Sequence, residues 1–167
     1  LSPLIHNYWM KKYRLVDSIY EKRKVETKDL KNIIKEIRED KIVGVNVTVP
    51  FKKLIIPFLD KLDSIAEETQ SVNTLFKSNN KIIGYNTDSS GFCDTIRKLY
   101  PMSSDSNMLL PLEDKHIFII GAGGVTSSII SALKLQGANN ITLSNRTKEK
   151  ANELKKLFPE IEILDWG

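Results

Sequence analysis

The sequence holds one cysteine, Cys93, and two histidines, His6 and His116. One thiol cannot close an internal disulfide, and three such residues cannot supply the four-ligand spacing of a structural zinc site. Long apolar runs are also missing. The longest, Ile117 to Ala122 with Val125 following, falls far short of the ~20 residues that span a bilayer. No charged-then-apolar leader opens the chain, so a cytoplasmic setting is expected rather than secretion. Charge of one sign is in short supply too: 25 Lys and Arg against 21 Asp and Glu leave +4, and lysines alternate with acids, as in Glu153-Leu154-Lys155-Lys156. That is a solvated surface, not a nucleic-acid stripe. No metal, membrane or nucleic-acid partner is therefore expected. What remains is a soluble globular chain of 167 residues, room for one domain or two small ones.

Apolar spacing then divides the chain. Thr27 can cap a helix whose buried face carries Leu30, Ile33, Ile34 and Ile37 at the i, i+3, i+4, i+7 spacing. From Lys41 to Val49 the period becomes two, with Val43, Val45, Val47 and Val49 on one strand face and Gly44, Asn46 and Thr48 on the other. Pro50 suits the first turn of a helix carrying Phe51, Leu54, Ile55, Phe58 and Leu59. Asn79-Asn80 tolerates the positive φ of a two-residue hairpin turn between Val72–Lys77 and Lys81–Asn86. In that register Asn73 faces Asn86 and comes beside Thr87 and Asp88. A short helix from about Ser90 to Leu99 follows, then a Pro- and Ser-rich stretch, Tyr100 to Asp114, that reads as a linker. From Lys115 onward strand and helix alternate as βαβαβ, the unit of a doubly wound parallel sheet.

Three constellations carry chemistry. Gly121-Ala122-Gly123-Gly124-Val125-Thr126 lies between a strand and a helix, where free N–H groups and the helix dipole meet a pyrophosphate; Thr126 stands at the third glycine of the usual motif. Ser144-Asn145-Arg146-Thr147, with Lys148 and Lys150 behind, ends the next strand where an NAD site would need an acid. Arg146 can instead hold a 2′-phosphate bidentately or stack on adenine, so NADP(H) is favoured over NAD(H). The second constellation is Gly44 to Lys52. Asn46 and Thr48 offer hydrogen bonds to a polyhydroxylated ligand, and Lys52 sits in a first helical turn where the dipole and Lys53 oppose its charge. Such a lysine suits acid/base work. The third joins Asn73 to Asn86-Thr87-Asp88; Asp88 could pair with Lys52 or merely cap the helix that follows.

Together these motifs resemble the shikimate dehydrogenase family. The resemblance rests on Leu1-Ser2-Pro3-Leu4-Ile5-His6-Asn7, Asn46-Val47-Thr48-Val49-Pro50-Phe51-Lys52, Val72-Asn73-Thr74-Leu75, Asn86-Thr87-Asp88 with Gly91-Phe92, Gly121-Ala122-Gly123-Gly124 and Asn145-Arg146-Thr147, in family order over essentially the whole chain. It implies an α/β fold: an N-terminal substrate domain over residues 1–94, a connecting helix and linker over 95–114, and a Rossmann-like doubly wound parallel-sheet NADP domain, truncated, over 115–167. It also implies reversible NADPH-dependent reduction of 3-dehydroshikimate to shikimate, in aromatic amino-acid biosynthesis. Lys52 would be the acid/base group with Asp88 as partner. Asn46, Thr48, Asn73 and Asp88 would hold the ring hydroxyls, and Ser2 the substrate carboxylate. Gly121, Ala122, Gly123, Gly124 and Val125 would hold the pyrophosphate, and Asn145, Arg146, Thr147 and Lys150 the adenosine 2′-phosphate. Quinate/shikimate dehydrogenase activity with relaxed choice, and a non-catalytic ligand-binding relative, are the alternatives.

The chain also departs from the family pattern. Ser89 and Ser90 stand where glycine usually follows Asn-Thr-Asp, so a different loop over the substrate is expected. The chain begins at Leu1 and ends at Gly167, so it is expected to be a piece lacking the family's opening strand, the first serine of the carboxylate pair and the C-terminal part, inactive alone. Monomer and homodimer are both left open.

Overall fold

The computed structural model describes residues 1–15, 17–100 and 110–167. Most of the expected linker, 101–109, lies outside the described residues. The chain opens with α1 (Ser2–Lys12), which the sequence reading did not anticipate; it buries no residue and so shows no amphipathic stripe. After a 3₁₀ turn at Thr27–Asp29 comes α2 (Leu30–Arg38), which buries Leu30, Ile33, Ile34 and Ile37 as the spacing requires. Its entry is capped one residue earlier than expected. Glu26 and Asp29 form a reciprocal capping box, and Thr27 lies inside the turn.

The period-two run is shorter than expected. Only β1 (Gly44–Asn46) pairs, while Val43 and Val49 are exposed. Among the described residues neither valine has a strand partner, and Val49 meets the chain only at the Gly124 turn, which is too little to bury it. Beyond it, the expected helix from Pro50 breaks into one α-turn, α3 (Phe51–Leu54), and a 3₁₀ turn at Ile56–Phe58, because Pro57 withholds an N–H. Then come β2 (Lys61–Leu62), α4 (Ser64–Thr69), β3 (Thr74–Ser78) and β4 (Lys81–Tyr85). Asp63 caps α4 by accepting from the Ala66 N–H at 2.8 Å. The hairpin register pairs Thr74 with Tyr85 and Ser78 with Lys81, with Asn79 and Asn80 at φ 48° and 59°. The first sheet runs β1-β3-β4-β2, and α2 closes one face over Ile55, Ala66, Val72, Leu75 and Ile82.

A second core forms behind α5 (Asp88–Leu99). It is built on β5 (His116–Ile120), α6 (Thr126–Leu135), β6 (Asn140–Ser144), α7 (Lys148–Leu157) and β7 (Glu162–Leu164). The strands are parallel in the order β5-β6-β7, as the βαβαβ pattern requires. Ile130, Leu143, Phe158 and Ile161 are fully buried there, and Ile96 of α5 joins them.

The face of α6 toward the first core is small and polar. Ser128 meets Asn86 and Ser89, and Ser131 donates to Glu68 at 2.5 Å. Lys134 completes the joint by bridging Glu68 at 3.1 Å and Glu160 at 2.6 Å. Burial works against the Lys134 charge, but the hydrogen bonds it donates to Glu160 and Glu68, with their negative charge, outweigh it and hold its pKa above the ordinary value.

Candidate active site

Lys52 and Asp88 arrive from separate elements. Lys52 is the second residue of α3, and its carbonyl accepts from the Val72 N–H at 3.0 Å, which ties that turn to the approach of β3. Asp88 is the first residue of α5. Asn86 sets it there: its Oδ1 accepts from the Asp88 N–H at 3.0 Å, an Asx-type turn that does the work of a cap. Lys52 Nζ then donates to Asp88 Oδ2 at 2.5 Å. The pair is partly sheltered, with side chains 15% and 26% exposed. The dipole invoked for Lys52 has little to act through, since α3 is a single turn; the direct carboxylate contact dominates its surroundings.

Asn73 fixes the other carboxylate oxygen. Its Nδ2 donates to Asp88 Oδ1 at 2.9 Å and to Thr87 Oγ1 at 3.0 Å, while its Oδ1 accepts from the Thr87 N–H at 3.0 Å. Asn46, at the end of β1, donates through Nδ2 to Thr74 Oγ1 at 3.0 Å. Thr48 lies past the end of that strand, exposed, with its carbonyl accepting from the Phe51 N–H. Ser2 opens α1 and is exposed. Ser89 and Ser90 do not extend a loop: they continue the first turn of α5, where Ser89 donates to the Ser128 carbonyl and Ser90 to the Thr87 carbonyl.

Tyr20 escaped the sequence reading, and Asn86, named there beside Thr87 and Asp88, was given no role of its own. Asn86 is 4% exposed, and its Nδ2 reaches Thr69 Oγ1, the Ser71 carbonyl and Ser128 Oγ, joining both cores beneath the Lys52–Asp88 pair. Tyr20 donates from its phenol to Asn46 Oδ1 at 2.9 Å. Its segment has no periodicity to read.

The glycine turn follows β5. Gly121 takes φ +108°, open to glycine and strained for other residues, and a Cβ on Gly124 would stand 2.8 Å from Val49 Cγ2. Thr126 ties the turn: its hydroxyl accepts from the Gly123 N–H at 2.9 Å and donates to the Gly121 carbonyl at 3.1 Å. Asn145 Oδ1 accepts from the Ala122 N–H at 2.9 Å, so the ends of β5 and β6 are cross-linked. Among the described residues the Gly124 and Val125 N–H groups have no partner, which leaves them at the head of α6 for an anion. Arg146, Thr147 and Lys150, past the end of β6, are exposed, and Lys148 pairs with Asp165 at 2.6 Å.

Thr126→Val removes the hydroxyl but keeps the shape of a residue only 5% exposed. It is expected to cost about 1–2 kcal/mol, read as a lower urea midpoint that Thr126→Ser restores. An unchanged midpoint would show that water meets the turn equally well.

Among the described residues no group of three or more His, Cys, Asp or Glu is placed to hold a metal ion. No helix among them is long and apolar enough to cross a membrane.

Residues 1–75 match the family model described as the shikimate dehydrogenase substrate binding domain, and residues 105–165 match the model described as shikimate / quinate 5-dehydrogenase. The shikimate dehydrogenase (NADP(+)) of Pelagibacter ubique is 53% identical over 167 residues, which is 100% of this chain and 59% of that protein. The crystal structure of Aquifex aeolicus shikimate dehydrogenase superposes with a TM-score of 0.83 at 37% identity, covering 98% of this chain and 57% of that one. The shikimate 5-dehydrogenase of Listeria monocytogenes, solved in complex with shikimate and NAD, gives 0.82 at 28% identity over 99% and 56%. The chain thus spans somewhat over half the length of the relatives it matches.

Proposed function

Because the chain belongs to the shikimate dehydrogenase family, we propose that the protein catalyses the reversible NADP-dependent reduction of 3-dehydroshikimate to shikimate, in the cytoplasm, as a step of aromatic amino-acid biosynthesis. The observation that carries this reading is the Lys52–Asp88 contact of 2.5 Å, held from below by Asn73 and Asn86. A protein that only bound its ligand would have no use for a sheltered acid/base pair. Residues 1–94 serve as the substrate side, 95–114 as the connection and 115–167 as the cofactor side.

The residues fit a dinucleotide. Gly124 keeps the turn free of side chains, the Gly124 and Val125 N–H groups suit the pyrophosphate, and Gly121, Ala122 and Gly123 shape the turn around it. Asn145, Arg146, Thr147 and Lys150 would take the 2′-phosphate, where a carboxylate would repel it. When bound, NADPH supplies the hydride for the carbonyl carbon.

Everything else falls to the chain's own groups. The Lys52 ammonium gives a proton to the carbonyl oxygen as it takes on alkoxide character, and in the reverse direction the neutral amine takes it back. Asp88 keeps Nζ in place, and Asn73 keeps Asp88 in place. Asn46, Thr48 and Asn73 meet ring hydroxyls, and Ser2 the carboxylate.

The direct test is an assay of the whole protein with shikimate and with quinate, each with NADP and with NAD. Shikimate with NADP is expected to exceed every other pairing in kcat/KM by about tenfold or more. Preference for quinate, or no oxidation of either acid, would reject the assignment.

A further inference from the structure

Tyr20 lies in a stretch without helix or strand, yet it is firmly held. Asn7 of α1 grips its backbone at two points: Nδ2 donates to the Tyr20 carbonyl at 2.8 Å, and Oδ1 accepts from the Tyr20 N–H at 2.8 Å. Its ring stacks on His6 at 4.2 Å and 10°, and Trp9 meets the same imidazole edge-on at 5.5 Å. A residue secured through both backbone and ring keeps its place whatever its hydroxyl does. The hydroxyl is thus free for another task, and it donates to Asn46 Oδ1 at 2.9 Å.

The orientation of every group beyond that contact follows from one backbone donor. The Thr87 N–H can only donate, so the Asn73 atom it meets is the oxygen, and the Asn73 nitrogen faces Asp88. Thr74 Oγ1 donates to Asn73 Oδ1 at 3.2 Å and must accept from Asn46, so Asn46 presents its nitrogen to Thr74 and its oxygen to Tyr20. Donors therefore run one way, from Tyr20 through Asn46, Thr74 and Asn73, to the carboxylate that Lys52 holds from the other side.

Asn46 is exposed at the end of a three-residue strand, so its side chain would sample several rotamers if only Thr74 held it. We propose that Tyr20 is a positioning residue for substrate recognition: its hydroxyl holds the Asn46 carboxamide in one orientation, with its second N–H free for a ring oxygen. Asn46 is thereby ordered before the ligand arrives, and binding loses less rotamer entropy. This inference rests on the reading that Asn46 meets the hydroxyls of shikimate.

Tyr20→Phe isolates the hydroxyl, because the Asn7 clamp and the ring stack stay. In the whole protein the expected result is a Kd and KM for shikimate raised about 3- to 10-fold, with kcat within about twofold and an unchanged melting temperature. In an Asn46→Ala background the same substitution is expected to do nothing further, since its effect travels through Asn46. An unchanged KM overturns the inference, and so does an equal loss in the Asn46→Ala background, which would make Tyr20 an independent contact. If titration shows that the unsubstituted protein does not bind shikimate, the proposed function itself falls; with binding intact, the first two outcomes reject Tyr20 alone.

Discussion

Lys52→Ala is expected to lower kcat in the whole protein by about 10²- to 10⁴-fold, the range that a positioned proton donor contributes, while KM for shikimate stays within a few-fold. Loss of the side chain removes the group beside Asp88 that can give a proton to the nascent alkoxide. Substrate affinity is expected to survive, because the contacts proposed for Asn46, Thr48, Asn73 and Ser2 remain. Lys52→Arg separates charge from proton transfer: guanidinium keeps the positive charge but does not give up a proton near neutrality. It should stay nearly as slow as alanine. Recovery with arginine would mean that Lys52 supplies only electrostatic attraction, and an alanine variant within tenfold of wild type would falsify the acid/base role.

Arg146→Asp is expected to raise KM for NADPH about 100-fold, through loss of a charge-assisted contact and gain of a repulsive carboxylate, while KM for NADH moves by less than about threefold. Arg146 is exposed, and among the described residues it makes no ion pair, so its replacement leaves the fold alone. Steady-state kinetics with both cofactors give the answer. Equal weakening of NADPH and NADH would assign Arg146 to the turn rather than to the phosphate.

Local patterns carried much of this fold. Burial of Leu30, Ile33, Ile34 and Ile37 follows from helical spacing, and the β3–β4 register follows from two asparagines able to take positive φ. That register alone brought Asn73 to Asp88, fifteen residues away. The same habits of reading failed at Val43 and Val49, where alternation ran beyond both ends of the three residues that have a strand partner. Period two describes a chain's capacity to pair; pairing also needs a neighbour. Tyr20 was silent for a related reason, and so was the buried joint that Asn86 makes between the cores. Tyr20 is placed by a clamp thirteen residues distant, and Asn86 by a serine on α6 forty-two residues away, and neither contact leaves a periodic trace. Family motifs filled part of that gap, because they mark positions whose partners lie elsewhere in the chain.

Helix α5 begins at Asp88 and is anchored at Ile96 in the second core, whereas Lys52 stands on the first. Eight residues of α-helix make a rigid arm about 12 Å long. Pivoting that arm by about 5° around Ile96 would carry the carboxylate by about 1 Å, enough to break or remake a contact of 2.5 Å. The far end does not swing freely, because Ser89, beside Asp88, is buried and donates to the Ser128 carbonyl of α6; α5 and α6 carry that half of the ion pair together. The 2.5 Å spacing of Lys52 and Asp88 is thus set by how α6, through Ser128, is seated against the core that carries α3.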